Sequence, residues 1–157
     1  MDILSHGLWG ATIIRQRKLV WWGFLSGMMP DILGSGGAFM YLLSIGEFWG
    51  TGTWQLLPAW AKELYHFHHS LLSVALYFLV LTLFLREYHA LILPYLLHVV
   101  MDAFVHANDS IDRLLYPVAL NVGIHGLNWW EHWWIVALNG ASLIIINIVI
   151  IFRRRSW

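Results

Sequence analysis

The stretch Trp133-Trp134-Ile135-Val136-Ala137-Leu138-Asn139-Gly140-Ala141-Ser142-Leu143-Ile144-Ile145-Ile146-Asn147-Ile148-Val149-Ile150-Ile151-Phe152 holds twenty residues without a charge and runs straight into Arg153, Arg154 and Arg155. At about 1.5 Å per residue it makes about 30 Å of helix, the thickness of a bilayer's hydrocarbon core, so it reads as a membrane span. The rest of the chain agrees with that reading. Of 157 residues, 59% are hydrophobic and 11% charged, far fewer charges than the roughly 25% of a soluble domain. Ser70 to Leu85 is a second uncharged run, ended by Arg86 and Glu87, and His89 to about His106 is a third that carries ionisable groups inside it.

The first half is less regular. Ile3 to Ile14 reads as a short helix interrupted by His6, and Leu19 to Met29 leads into Pro30 and Asp31. Gly34, Ser35, Gly36 and Gly37 predict a break, with Ala38 to Trp49 as a half-membrane or interfacial helix beyond it. The expected fold is all-α: one domain over 1–157, a polytopic integral membrane helix bundle with short or broken N-terminal helices. The chain opens with Met1 and Asp2 rather than a basic region, so its first apolar segment is expected to persist rather than be cleaved.

Charge then orients the bundle. Arg15/Arg17/Lys18, Arg86 and Arg153/Arg154/Arg155 form three basic groups, which the positive-inside rule puts on the cytoplasmic face together with the C-terminus. Lys62, Glu63, Asp109, Asp112 and Glu131 fall on the opposite side, where Trp129, Trp130, Trp133 and Trp134 form an interfacial belt. Nine basic residues balance nine acidic ones, leaving no positive field for a nucleic acid, and the apolar content excludes disorder. With no Cys, any metal must use nitrogen and oxygen donors.

An Asp or His inside a bilayer costs enough to be a functional-site hypothesis by default. Counted from the basic anchors at the helical rise, His6 lies about 14 Å, Asp31 about 20 Å and His98 about 18 Å in, with Asp102 and His69 at about 24 to 26 Å. All fall in the outer half, where a metal site would open outward. His98, Asp102 and His106 are spaced four and four on one helical stripe, able to bind one metal or adjacent metals. His66 and His69 share a face, whereas His68 points elsewhere, and Asp2 with His6 forms another i,i+4 pair. His89, His125 and His132, near helix ends or loops, read as interfacial groups.

Four elements in order carry a resemblance: His6-Gly7 on an N-terminal helix, Gly27-Met28-Met29-Pro30-Asp31, His68-His69-Ser70 opening a helix, and His98-x3-Asp102-x3-His106. With Leu114-Leu115-Tyr116-Pro117 and the Trp-rich segment, the chain from His6 to Trp134 resembles the YdjM-like membrane-bound metal-dependent hydrolases. The resemblance implies a helical protein of a bacterial or archaeal inner membrane, with a metal arrangement distantly like that of zinc-dependent phospholipase C. It implies ligand roles for His6, Asp31, His69, His98 and Asp102. Two positions depart from the family pattern: Leu33 stands where a second Asp is frequent, and Leu64 where a His is expected, for which His66 is a substitute one turn before His69.

The chemistry expected is hydrolysis assisted by a divalent metal, zinc first, with manganese or magnesium open because carboxylates admit them. Such an ion brings a water's pKa toward about 7 and polarises a carbonyl or phosphoryl oxygen. Asp102 or Asp31, where not a full ligand, is the expected general base. Depth in the bilayer points to membrane lipids or another amphiphilic, phospholipid-like phosphoester entering between helices. The alternatives are a metal or proton transporter, a haem protein using His69 and His98, and a non-catalytic, metal-stabilised interaction protein. The inner half, from Leu79 to Leu85 and Ile144 to Ile151, is poor in ionisable groups and offers no continuous polar path.

Overall fold

The computed structural model describes residues 1–14, 16–50, 52–106, 114–118 and 126–155, with 153–155 as backbone. Arg15, Asp109, Asp112, His125 and the side chains of Arg153, Arg154 and Arg155 lie outside the described residues. Among those described, the secondary structure is helical throughout, without a strand. Helix α1 is Ile3–Ile13. Its start is fixed by Asp2, whose two carboxylate oxygens accept the Ser5 N–H at 2.9 Å and the Ser5 hydroxyl at 2.6 Å. The Asp2 carboxylate is thus engaged by the cap, not by the expected partner His6.

A 3-10 turn, Arg17–Leu19, leads into α2, Val20–Ser44. This single 25-residue helix overturns the expected break at Gly34 to Gly37 and the separate helix from Ala38 to Trp49. Gly34 and Gly37 are there for packing. A Cβ on Gly34 would lie 3.2 Å from the His68 Cβ and 3.3 Å from the His69 ring, and one on Gly37 would lie 3.2 Å from Trp60. Small residues let α4 lie close on α2, and the tertiary contact outweighs a propensity cost of about 1 kcal/mol per glycine. Pro30 also sits inside the helix, depriving the Ser26 carbonyl of its usual donor.

After α2 come the one-turn helix α3, Thr53–Leu56, then α4, Ala59–His68, and α5, Leu71–Phe84. The last two are bent by 63° at His69 and Ser70, where Ser70 caps α5 by accepting the Ser73 N–H. A 3-10 turn over Arg86–Leu91 runs into α6, Ile92–Val105, and a further turn at Trp129–Glu131 precedes α7, Trp133–Arg155. Arg86–Val105 and Trp133–Phe152 are long and apolar enough to cross a membrane, and the bent pair α4 and α5 makes a third candidate span.

Helix α1 packs directly on α2 at a glycine crossing. A Cβ on Gly27 would run into the His6 carbonyl, and one on Gly10 into the Gly23 carbonyl, so only glycine lets these backbones meet. The approach brings His6 over Gly27. Helix α7 is attached differently, by side-chain amides: Asn139 accepts from the Trp9 indole at 2.7 Å and donates to the Ser5 hydroxyl at 3.0 Å, while Asn147 donates to the Thr12 hydroxyl at 2.9 Å. Both sets of partners ascend together, so α7 runs parallel to α1. Ile144 and Ile145 are 62% and 59% exposed, as suits a helix in contact with lipid.

Candidate metal centre

Three parts of the fold meet beside the Gly27 crossing. Helix α2 brings Asp31, the α4–α5 elbow brings His69, and α6 brings His98 and Asp102 one turn apart. One donor atom from each of these four lies within 4.8 Å of all the others. The group is buried: His69, His98 and Asp102 are 3%, 1% and 3% exposed. Asp31 is the open edge, its side chain 17% exposed.

The tautomers follow from the backbone. His69 Nδ1 lies 2.9 Å from the Tyr65 carbonyl and His98 Nδ1 2.7 Å from the Gly27 carbonyl. A carbonyl cannot donate, so each Nδ1 carries the proton and gives it to that oxygen, leaving Nε2 with a lone pair in the neutral ring. These two Nε2 atoms face each other at 3.3 Å. Asp31 Oδ1 lies 3.3 Å from His69 Nε2 and 3.9 Å from His98 Nε2, and Asp102 Oδ2 lies 3.7 and 3.5 Å from the same two atoms. Four potential donor atoms thus converge on one point, with the two ring Nδ1 atoms already engaged by backbone carbonyls. Donors around a tetrahedral zinc, each at about 2.0 to 2.1 Å, sit about 3.3 Å apart, close to the shorter of these separations. The set fits a divalent cation.

Asp102 serves two sides. Its Oδ2 faces His69 and His98, while its Oδ1 takes the Met1 amine at 2.8 Å and His6 Nε2 at 2.9 Å, with His106 Nδ1 at 3.5 Å. His6 also stacks on His98, ring centroids 3.7 Å apart, and its buried Nδ1 finds no hydrogen-bond partner among the described residues. Of the residues expected as ligands, Asp31, His69, His98 and Asp102 are therefore brought to one point, and His6 meets them through the far oxygen of Asp102.

The remaining two expected ligands are not in the four-residue group. His106 caps the end of α6 with extended backbone; its ring turns back toward Asp102, Nδ1 lying 3.4 Å from the carbonyl and 3.5 Å from Oδ1, and packs on Trp130. His66 packs between aromatic rings, 5.7 Å from Trp54 and 6.1 Å from Tyr116 by ring centroids. Tyr116 donates to Glu63, and this hydrogen bond, more than its slight burial or the nearby charge, holds the phenol above its usual pKa by favouring the neutral form.

Sequence reasoning passed over the Gly27 and Tyr65 carbonyls that set the ring tautomers, and no side-chain pattern could reveal them. It placed His68 off the face that His66 and His69 share, leaving its role as a ligand open. His68 Nδ1 is 3.3 Å from the Tyr95 hydroxyl, which in turn donates to the His68 carbonyl at 3.2 Å, beside the donor cluster. Compared with protein families, curated proteins and solved structures, the chain matches none.

Proposed function

We propose that the chain is a membrane-bound, metal-dependent hydrolase of the YdjM-like kind, acting on an ester or phosphoester of an amphiphile. One observation carries this: two imidazole nitrogens with their protons turned away, and two carboxylate oxygens, face a common point beneath an open edge at Asp31. Asp31, His69, His98 and Asp102 would hold the ion, zinc before manganese or magnesium. When bound, it supplies an acidified water and a polarised scissile oxygen. The protein's own part is to fix the donors. Gly27 and Tyr65 orient the two rings, and His6 and the Met1 amine hold Asp102 by Oδ1 so that Oδ2 stays turned to the centre. Asp102 is saturated by these contacts, so Asp31, at the exposed edge and where it is not a full ligand, is the better general base.

A second reading, a structural metal clasp, is favoured by the count of protein donors: four complete a tetrahedral zinc sphere without water. A haem between His69 and His98 is disfavoured, because the Asp31 and Asp102 oxygens lie where its ring would have to pass. Turnover decides between hydrolase and clasp. Detergent-purified protein is assayed against phospholipids and phosphoester surrogates, with the Asp102→Ala variant beside it. Metal-dependent product from the wild type alone supports hydrolysis; metal binding with no turnover on any class leaves the clasp. Flux of zinc or protons through reconstituted vesicles, lost in Asp102→Ala, would instead make it a transporter.

A further inference from the structure

Where α4 ends, its last carbonyls have no further turn of helix to supply their donors. The His68 carbonyl finds two hydroxyls instead: Ser73 donates to it from α5 at 3.1 Å, and Tyr95 from α6 at 3.2 Å. The Tyr95 oxygen also lies 3.3 Å from His68 Nδ1 and 3.3 Å from the Ser73 hydroxyl, so these partners of the phenol all belong to the α4–α5 elbow and the first turn of α5. Tyr95 is 2% exposed, its ring packed with Val74 and Val99. A phenylalanine would fill that apolar seat equally well, whereas a buried hydroxyl is costly unless it reaches partners. The partners it reaches adjoin the donor cluster. His68 is bonded to His69, and Tyr95 stands one turn before His98 on α6.

We infer that Tyr95 is a positioning residue of the metal centre: its hydroxyl ties the elbow to α6 and so sets the 3.3 Å separation between His69 Nε2 and His98 Nε2. This role rests on the reading of the four donors as a metal site. The parts that carry those donors are joined in pairs. Helices α2 and α6 meet where His98 Nδ1 donates to the Gly27 carbonyl at 2.7 Å, and α2 meets the elbow at Gly34, where a Cβ would lie 3.2 Å from the His68 Cβ. The Tyr95 phenol joins the elbow to α6. The other bonds at the elbow do not replace it. His69 Nδ1 donates to the Tyr65 carbonyl of its own helix, which orients the ring on α4 but leaves the end of α4 free to shift against α6. The Ser73 hydroxyl likewise bonds only across the 63° bend between α4 and α5. A metal site tolerates errors of only about 0.2 Å in its ligand distances, so a small drift of the elbow is enough to weaken binding.

The test compares full-length wild type, Tyr95→Phe and Tyr77→Phe in detergent. Tyr77 is the control: its ring lies 4.8 Å from that of Tyr95, but its hydroxyl meets Ser26 of α2 rather than the elbow. Three quantities are read: zinc affinity by chelator competition, the visible absorption of the cobalt(II)-loaded protein, and the unfolding temperature without metal. Tyr95→Phe should bind zinc about tenfold more weakly, the lower end of the effect of losing a group that orients a ligand, and should shift the cobalt bands. Its metal-free unfolding temperature should fall no further than that of Tyr77→Phe, which keeps wild-type affinity and spectrum. A hydroxyl that served packing alone would lower the unfolding temperature and leave the cobalt spectrum as it was. That result overturns the inference, as do equal losses of affinity in both variants or a Tyr95→Phe protein that does not fold. A wild type that takes up neither zinc nor cobalt sinks the metal-centre reading itself, whereas a Tyr95→Phe protein that binds both ions as the wild type does sinks the positioning role alone.

Discussion

His69 Nε2 and His98 Nε2 face each other across 3.3 Å, while both Nδ1 atoms are committed to backbone carbonyls. Two lone pairs held this close repel unless a proton or a metal cation lies between them. With Asp31 and Asp102 on the same point, the charge best suited to all four is a divalent cation, and the centre's behaviour can be forecast from that.

Elemental analysis of detergent-purified protein should find near-stoichiometric divalent metal. His98→Ala and Asp102→Ala should remove it, because each deletes one of four donors. His66→Ala should leave it in place. His6→Ala should retain an ion but bind it about 10- to 100-fold more weakly, the usual effect of losing a group that orients a ligand. Metal retained at full affinity in His98→Ala contradicts the assignment.

Affinity should depend steeply on pH. Both Nε2 atoms must be unprotonated to bind an ion. Two protons compete with one ion, so affinity should fall as the pH is lowered, by up to about a hundredfold per unit where both rings take up a proton. Chelator competition at several pH values measures the slope; a flat profile would mean the two imidazoles are not ligands.

Gly27 and Gly36 lie on the same helix and should respond oppositely to alanine. At Gly27 the new methyl meets the His6 carbonyl, so Gly27→Ala should destabilise by about 1 to 3 kcal/mol or more and loosen the metal, since this crossing also sets His98. A Cβ on Gly36 meets nothing within 4 Å, so Gly36→Ala should be neutral or stabilising by up to about 1 kcal/mol. Thermal unfolding in detergent compares them, and equal effects would argue against the close α1–α2 contact.

Asn147→Ala should weaken attachment of α7 by about 0.6 to 2 kcal/mol, the range for hydrogen bonds between helices in lipid. A double-mutant cycle with Thr12→Ala isolates the bond; additive losses would show the pair is not coupled.

Orientation is open to a direct check. A reporter fused after Trp157 is expected to read cytoplasmic, from the three basic groups along the chain. An external signal would reverse the side to which Asp31 opens.

Parts of this centre were legible because they are local. The i,i+4 spacing of His98 and Asp102 fixes their shared face in any helix, and His69 before Ser70 marks a helix start. Trp133 to Phe152 announces its own length. The course of α2 was not legible, because Pro30 and the Gly34 to Gly37 run look like breakers until the neighbour they accommodate is known. His106 stands where the helix ends, so its i,i+4 spacing brings the ring to within 3.5 Å of Asp102 Oδ1 without placing it among the four converging donors. The placement of His6 against the far oxygen of Asp102 depends on how closely α1 approaches α2, which a glycine pattern permits without stating.

The amide fastening of α7 bears on biogenesis. The four converging donors lie between Asp31 and Asp102, and α7 supplies none of them. In the spanning reading, the preceding helices carry all four donors before α7 leaves the ribosome, and α7 then settles alongside through Asn139 and Asn147. Its late arrival would lock Ser5, and with it the cap of α1, rather than create the centre.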